Sequence, residues 1–144
     1  MHAIEWSDTY LIGIPELDDE HRRIVAMINA VIAAVEVGLV AKTVLDMIDG
    51  MMAVVLPHMA TEQNMMKPLA SPQGIGHRRK HIAGHAEFIR QINAVRAELA
   101  AGDDCKVSLD RLTVFLTVLE LINSDYEMVG ELRREGLLSP QHGE

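Results

Sequence analysis

Four long stretches of apolar residues at helical spacing account for most of this 144-residue chain. In the first stretch, Ile24, Ile28, Val31 and Ile32 recur three and four positions apart, which is typical of the buried face of an α-helix. Strand signals are scarce, and breaks rich in glycine, proline or aspartate separate the stretches. The pattern predicts an all-α fold, an antiparallel up-down-up-down four-helix bundle.

The breaks between the stretches set the expected boundaries. Residues 1–16 are expected to form an irregular arm, and the bundle should occupy about 17–136 of a single domain, 1–144, that ends in a loose polar tail. The four helices are expected at about 18–38 (with Asp18 or Asp19 as the cap), 41–66, 76–101 and 108–135. Residues 68–75 are expected to form a loop, and Pro57 should kink the second helix because it removes a backbone donor.

The composition limits the partners that the protein can have. Thirteen basic and 21 acidic residues give a net charge of −8, which argues against nucleic acid or an anionic membrane. No apolar run approaches the ~20 residues that are needed to cross a bilayer. The single cysteine, Cys105, cannot form an internal disulfide, so the reducing cytoplasm is the simpler compartment.

Histidines and carboxylates occur four residues apart on two of the predicted helices. His58 and Glu62 form one pair, and His81 and His85 form the other. Residues four apart lie one turn along the same side of a helix, so the two side chains of a pair can point at one ion. Each pair alone is weak evidence, but two pairs on separate helices indicate a metal site.

The first and last predicted helices contribute further side chains of the same kind. His21 follows an acidic run at the start of the first helix, and Asp125 lies near the end of the last apolar stretch. Imidazole together with carboxylate suits iron, manganese or zinc. All four helices contribute, and they supply more donors than one ion needs. The sequence therefore predicts two metal ions in the interior of the bundle.

Several motifs, in order over about 120 residues, carry a resemblance to a known family. They are the opening stretch from Trp6 to His21, the stretch His58-Met-Ala-Thr-Glu62, and the stretch His81-Ile-Ala-Gly-His85 with Phe88 three residues later. In these motifs the chain resembles the hemerythrins, in particular the single-domain bacterial hemerythrins. The resemblance implies two iron ions with an oxo or hydroxo bridge, and dioxygen or a related small diatomic or peroxide molecule as the ligand.

The resemblance also implies which side chains hold each iron. Two histidines would bind one ion, two further histidines and a residue of the last helix would bind the other, and two carboxylates would bridge them. The resemblance assigns His21 and His58 to the first ion and His81 and His85 to the second. It assigns Glu62 and Asp125 as the bridging carboxylates.

The position five residues before Asp125 departs from the family pattern. The family carries a histidine there, whereas this chain has Glu120. A separation of five turns about 140° around an ideal helix, so the assignment rests on the resemblance and not on periodicity. A local bulge of the wider helix kind could bring the two side chains to one site. We interpret Glu120 as a direct iron ligand in place of the histidine. The alternative is a group behind the ligands, with the iron recruiting another donor.

His77 lies one helical turn before His81 and offers a second His-x-x-x-His register. Phe88, three residues after His85, favours the register of His81 and His85. His77 is then either a surface group or a substitute ligand that compensates for Glu120.

Thr117 stands where the family commonly has a leucine, three residues before the last-helix ligand. Its hydroxyl can lie in the oxygen pocket or bond to its own helix backbone.

The function that the resemblance implies is oxygen binding, storage or sensing by a binding protein, with no catalytic residue assigned. The alternatives are a diiron oxidoreductase (peroxidase-like, or reactive with oxygen or nitric oxide) and an iron-handling protein, because Glu120 changes the ligand set.

Overall fold

The structure, a computed structural model, describes residues 2–139, and helices are the only regular elements in that range. After a 3-10 turn at Asp8–Tyr10, the helices are α1 (Pro15–Glu36), α2 (Ala41–Met66), α3 (Pro72–Ala101), α4 (Lys106–Val114), a π-helical segment (Phe115–Ser124) and α5 (Asp125–Arg134). The last three elements form one continuous fourth helix. Their packing confirms the predicted four-helix bundle. Residues 140–144 of the predicted tail lie outside the described range.

The N-terminal arm is held against α1 by two polar side chains. The Asp18 carboxylate accepts hydrogen bonds from the N–H groups of Ile12 and its neighbour, at 2.8 and 3.2 Å. Asn29 exchanges two hydrogen bonds with the backbone of Ile4, at 2.7 and 2.8 Å. The helix begins at Pro15, since the fixed φ of proline suits the first turn. The prediction that Asp18 or Asp19 caps this helix was therefore wrong, and Asp18 fastens the arm instead.

α2 runs unbroken across Gly50 and Pro57, with Pro57 on the exposed side. Its apolar side chains, including Val44, Ile48 and Met51, are buried in the bundle core. It is the one described helix whose length and composition would allow it to cross a membrane. Core helices of bundles share this composition, so the observation is weak evidence for a membrane segment.

α3 begins four residues earlier than the sequence predicts. Ser71 is its N-cap, and the Ser71 hydroxyl oxygen accepts a hydrogen bond from the N–H of Gly74 at 2.9 Å. Glu135, just after α5, accepts hydrogen bonds from the Ala70 N–H and the Ser71 hydroxyl, both at 2.8 Å. The predicted loop at 68–75 is reduced to a short turn that Glu135 fastens to the end of the bundle.

The fourth helix contains the kind of local widening that could reconcile the spacing of five with a shared site. At the end of the π-helical segment, the N–H of Asp125 donates to the carbonyl oxygen of Glu120, which is the i→i−5 pattern of a π-helix. This wider turn brings residues five apart onto one side of the helix. Glu120 and Asp125 can therefore face the same region, which an ideal α-helix would not permit.

The buried apolar side chains form two clusters with a polar layer between them. The larger cluster contains Ile24, Phe88 and Leu121, and the smaller contains Leu17 and Met128. On α1, His21 lies between Leu17 and Ile24, and on the fourth helix Asp125 lies between Leu121 and Met128. The apolar clusters therefore enclose the polar layer from both ends of the bundle.

Candidate metal centre

All seven side chains that the sequence predicts as ligands lie in this polar layer and are at most 7% exposed. Each of the four helices of the bundle contributes at least one of them. They are His21, His58, Glu62, His81, His85, Glu120 and Asp125.

The first donor group contains His21, His58, Glu62 and Asp125. The Nε2 atoms of His21 and His58 are 3.0 Å apart, and His21 Nε2 lies 3.1 Å from Oδ2 of Asp125. His58 Nε2 lies 3.3 Å from Oε2 of Glu62. Donor atoms that share one ion at about 2.1 Å are separated by roughly 3.0–3.4 Å. The first group therefore has spacings that suit a metal ion.

The second donor group contains His81, His85 and Glu62. Glu62 Oε1 lies 3.2 Å from Nε2 of His81 and 2.8 Å from Nε2 of His85. Asp125 Oδ1 lies 3.2 Å from the same nitrogen of His81. Glu62 and Asp125 thus each direct one oxygen towards each donor group. This is the arrangement of two carboxylates that can bridge a pair of ions.

Glu120 belongs to a third grouping, with His81 and Asp125. It is 7% exposed, and its carboxylate makes no hydrogen bond or ion pair with another described residue. Burial, followed by the nearby charge of Asp125, raises the pKa of Glu120 to about 8. The structure thus brings Glu120 to the second donor group with no protein partner for its charge.

The charges and the unpaired atoms of the layer fit bound cations. Oε2 of Glu62 and Oδ1 of Asp125 are buried and face imidazole nitrogens at 3.3 and 3.2 Å without forming a hydrogen bond, and Nδ1 of His21 is buried with no hydrogen bond. Such buried polar atoms are costly unless a ligand compensates for them. Burial lowers the pKa of His21 and His81, but Asp125 and Glu62 outweigh it and raise both pKa values to about 10. The same two carboxylates that stabilise protonated imidazoles in the metal-free protein would stabilise metal cations bound to those imidazoles.

His77 is neither a surface group nor a member of any donor group. It is buried, its Nε2 lies 3.1 Å from Nδ1 of His81, and its Nδ1 lies 3.4 Å from Oε2 of Glu127. Burial, and then the charge of His81, lowers the pKa of His77. The structure therefore places His77 behind His81, where it can hold the imidazole in orientation.

Two other imidazoles are also contacted from behind, by residues that sequence reasoning did not single out. Nδ1 of His58 lies 3.4 Å from Oε1 of Glu20, and Nδ1 of His85 lies 3.1 Å from the amide nitrogen of Gln63. Glu20 directly precedes His21 and Gln63 directly follows Glu62. That adjacency was the only sequence signal for their role.

A cavity of about 20 Å³ adjoins the donor groups, which is room for one water-sized molecule. Its apolar wall includes Val55, Phe88, Leu116 and Leu121. Thr117 does not line this cavity, and its hydroxyl donates to the carbonyl oxygen of Thr113 at 3.0 Å. Of the two arrangements expected for this threonine, the structure has the one bonded to its own helix.

The profile of the Hemerythrin HHE cation binding domain matches residues 12–123. The chain belongs to the hemerythrin family. It is similar to bacteriohemerythrins of Stenotrophomonas maltophilia (strain R551-3), with 30% identity over 104 residues, and of Pseudomonas paraeruginosa (strain DSM 24068 / PA7), with 31% identity over 104 residues. Each alignment covers 72% of this hemerythrin and 65% of the relative's own length. No solved structure matches the chain significantly.

The family match contains six of the seven predicted ligands of this hemerythrin, because it ends two residues before Asp125. Asp125 lies outside the matched range, and the π-helical turn places it beside His21 and His81.

Proposed function

We propose that this hemerythrin is a non-haem diiron protein that binds dioxygen at the buried polar layer. The observation that carries the proposal is the position of Glu62 and Asp125, each with one oxygen beside each donor group. His21 and His58 would hold one iron. His81, His85 and Glu120 would hold the other. When bound, the two irons supply the redox chemistry that lets dioxygen be held and released.

The side chains around the donors support a binding role. The cavity of about 20 Å³ admits one small molecule and leaves no space for an organic substrate. Its wall, apart from the proposed ligands, is formed by apolar side chains such as Ile24, Met59 and Phe88. The apolar part of this wall donates no hydrogen bond or proton to a bound ligand. This favours storage, transport or sensing of a small molecule over turnover.

A diiron oxidoreductase that reduces peroxide is the second candidate, and Glu120 is the observation that favours it. A carboxylate in place of an imidazole adds negative charge to the second donor group. Negative charge stabilises the ferric state and lowers the reduction potential of the site. A lower potential would suit an enzyme that is oxidised by peroxide, and it would shorten the lifetime of an oxygen adduct.

Spectroscopy of the iron-loaded protein tests both candidates. The apo-protein is loaded with ferrous iron without oxygen, the iron is counted by elemental analysis, and air is then admitted. A visible band that appears with air and is lost on deoxygenation supports oxygen binding. Passage to a stable diferric spectrum together with turnover of hydrogen peroxide supports the enzyme. Fewer than two irons per chain would contradict both.

The variant Glu120→His distinguishes direct iron binding by Glu120 from a position behind the ligands. We expect it to lengthen the lifetime of the oxygen adduct and to change the visible spectrum. Glu87→His is the matched control, because Glu87 is paired with Arg90 on the surface of α3 and lies in none of the donor groups. A Glu120→His protein with the spectrum and lifetime of the control would show that Glu120 does not bind iron.

A further inference from the structure

The second donor group has a pocket of the protein surface next to it. This pocket has a volume of about 420 Å³ and lies between α3 and the π-helical segment. Phe115 and Leu119 form its apolar wall, and Lys80 and Glu127 lie on its polar side. Glu120 lines both this pocket and the internal cavity, whereas the other six proposed ligands do not line the pocket. Glu120 therefore stands between the protein surface and the buried donors.

At the inner end of the pocket, α3 carries a glycine, and the Glu120 carboxylate occupies the space that a side chain would take. Gly84 lines the pocket, and a Cβ atom on it would lie only 2.6 Å from Oε1 of Glu120. The missing side chain lets the carboxylate lie directly against the backbone of α3. Glu120 is 7% exposed and has no hydrogen-bond partner among the described residues, so its oxygens are free to accept a ligand.

We propose that this surface pocket is the entrance through which ferrous ions reach the buried donors, with the Glu120 carboxylate as the first protein ligand that they meet. An entering ion exchanges a bound water for a Glu120 oxygen and then passes to His81 and Asp125, which share the third donor grouping with Glu120. The protons that these donors hold in the metal-free protein are released to solvent as the ion binds. No electron is transferred in this step. The inference rests on the proposed function, because it requires that the buried donors bind metal.

The charges at the mouth of the pocket are suited to controlling the rate of entry. Lys80 Nζ lies 3.4 Å from Oε2 of Glu127, and the two side chains are 69% and 48% exposed. The whole chain has a net charge of −8, so cations are attracted to it in general. Lys80 is a positive charge at the entrance that opposes this attraction.

A steric test fills the pocket without touching a proposed ligand. Leu119→Trp adds bulk to the wall, and Ile122→Trp is the control, because Ile122 is exposed on the same π-helical segment but does not line the pocket. The probe is cobalt(II) added to the apo-protein without oxygen, followed by stopped-flow absorption of its visible bands. We expect uptake in Leu119→Trp to be at least tenfold slower, with the same final number of ions.

Equal uptake rates in Leu119→Trp and Ile122→Trp would overturn the entrance. A wild-type protein that takes up no cobalt at all would instead contradict the proposed function, so the two failures are distinct. Equilibrium dialysis gives the final number of ions independently of the rate. A normal rate with fewer bound ions in Leu119→Trp would mean that the variant damages the site, and this too counts against an entrance role.

An electrostatic test uses the charge at the mouth. Lys80→Gln should speed cobalt uptake roughly two- to fivefold at low ionic strength, and high salt should remove the difference. Lys42→Gln is the control, because it removes the same charge at a site away from the pocket. Lys42 pairs with Asp46 at the start of α2. Equal acceleration by both variants would show that only net charge matters and would overturn the entrance at this pocket.

Discussion

A methyl group on Gly84 would lie 2.6 Å from Oε1 of Glu120, closer than a methyl carbon approaches an oxygen to which it is not bonded. α3 thus lacks a side chain at the point where the π-helical segment directs a carboxylate towards the second donor group. The two residues are 36 positions apart in the sequence, and they constrain each other only through this close steric contact.

Gly84→Ala should displace Glu120 and weaken binding of the second ion, while the first ion remains bound. Gly76→Ala is the matched control, because Gly76 lies in the same helix with nothing within 4 Å of the added Cβ. The control should gain up to about 1 kcal/mol of stability from helix propensity. Metal titrations followed by elemental analysis measure the first effect, and thermal unfolding of the apo-proteins measures the second.

The contact can also be tested by a double-mutant cycle. Because aspartate is one methylene shorter than glutamate, Gly84→Ala should change metal binding much less in a Glu120→Asp background than in the wild type. Additive effects of the two substitutions on metal affinity would show that the side chain of residue 120 does not lie against residue 84.

Loss of a bridging carboxylate should differ from loss of a terminal imidazole. Glu62→Ala removes an oxygen from both donor groups, so we expect it to abolish stable binding of both ions. His85→Ala removes a donor from the second group only and should leave the first ion bound. Elemental analysis after dialysis distinguishes the two variants, and equal metal content in both would contradict the bridging role of Glu62.

Removal of metal should destabilise the protein, because the buried carboxylates then lack their strongest partner. A ligand that binds only the folded state at one hundred times its Kd contributes about 2.7 kcal/mol per site. We therefore expect the thermal midpoint to fall on chelation and to recover on addition of ferrous or cobalt(II) ions. A midpoint that does not respond to chelator, in a protein shown to hold metal, would contradict this.

Glu135 should make stability depend on pH at the α2–α3 turn. The Ala70 N–H and the Ser71 hydroxyl hold the pKa of Glu135 below its ordinary value of 4.5. A lowered folded-state pKa stabilises the fold above pH 4.5, and this contribution is lost as the pH falls through the lowered value. Glu135→Gln should therefore lower the thermal midpoint at pH 7 but have little effect near pH 3.

Glu5→Gln is the control for this measurement, because Glu5 is exposed in the arm and forms no hydrogen bond or ion pair among the described residues. If Glu135→Gln and Glu5→Gln have the same pH profile of unfolding, the turn is not fastened by Glu135.

The helices and the His-x-x-x-Glu and His-x-x-x-His pairs could be predicted from sequence because both follow the α-helical period. The early start of α3 was also readable in principle, since Ser71 followed by proline is an N-terminal signature. Which residues of the fourth helix are exposed could not be predicted from the sequence. Leu119 and Ile122 are apolar neighbours of Glu120 in the sequence, yet they are 49% and 41% exposed. The π-helical turn shifts the phase, so Leu116 and Leu121 are buried instead.

The contact partners behind the imidazoles and the role of Gly84 depend on tertiary packing, which a linear pattern does not contain. Glu20, Gln63 and Gly84 each lie next to or between residues that the sequence did identify. Their neighbours were visible, but which side of each helix meets which other helix was not.

The π-helical segment accommodates an extra residue within an otherwise ordinary helix. The apolar faces of α4 and α5 both reach the core, with Leu109 and Leu112 on one side and Met128 and Leu132 on the other, because the ten residues between them absorb the phase difference. The side chain at position 120 can therefore change without a change in the register of α4 or α5. An imidazole or a carboxylate can be presented from this segment to the polar layer while the apolar faces on either side stay in the core.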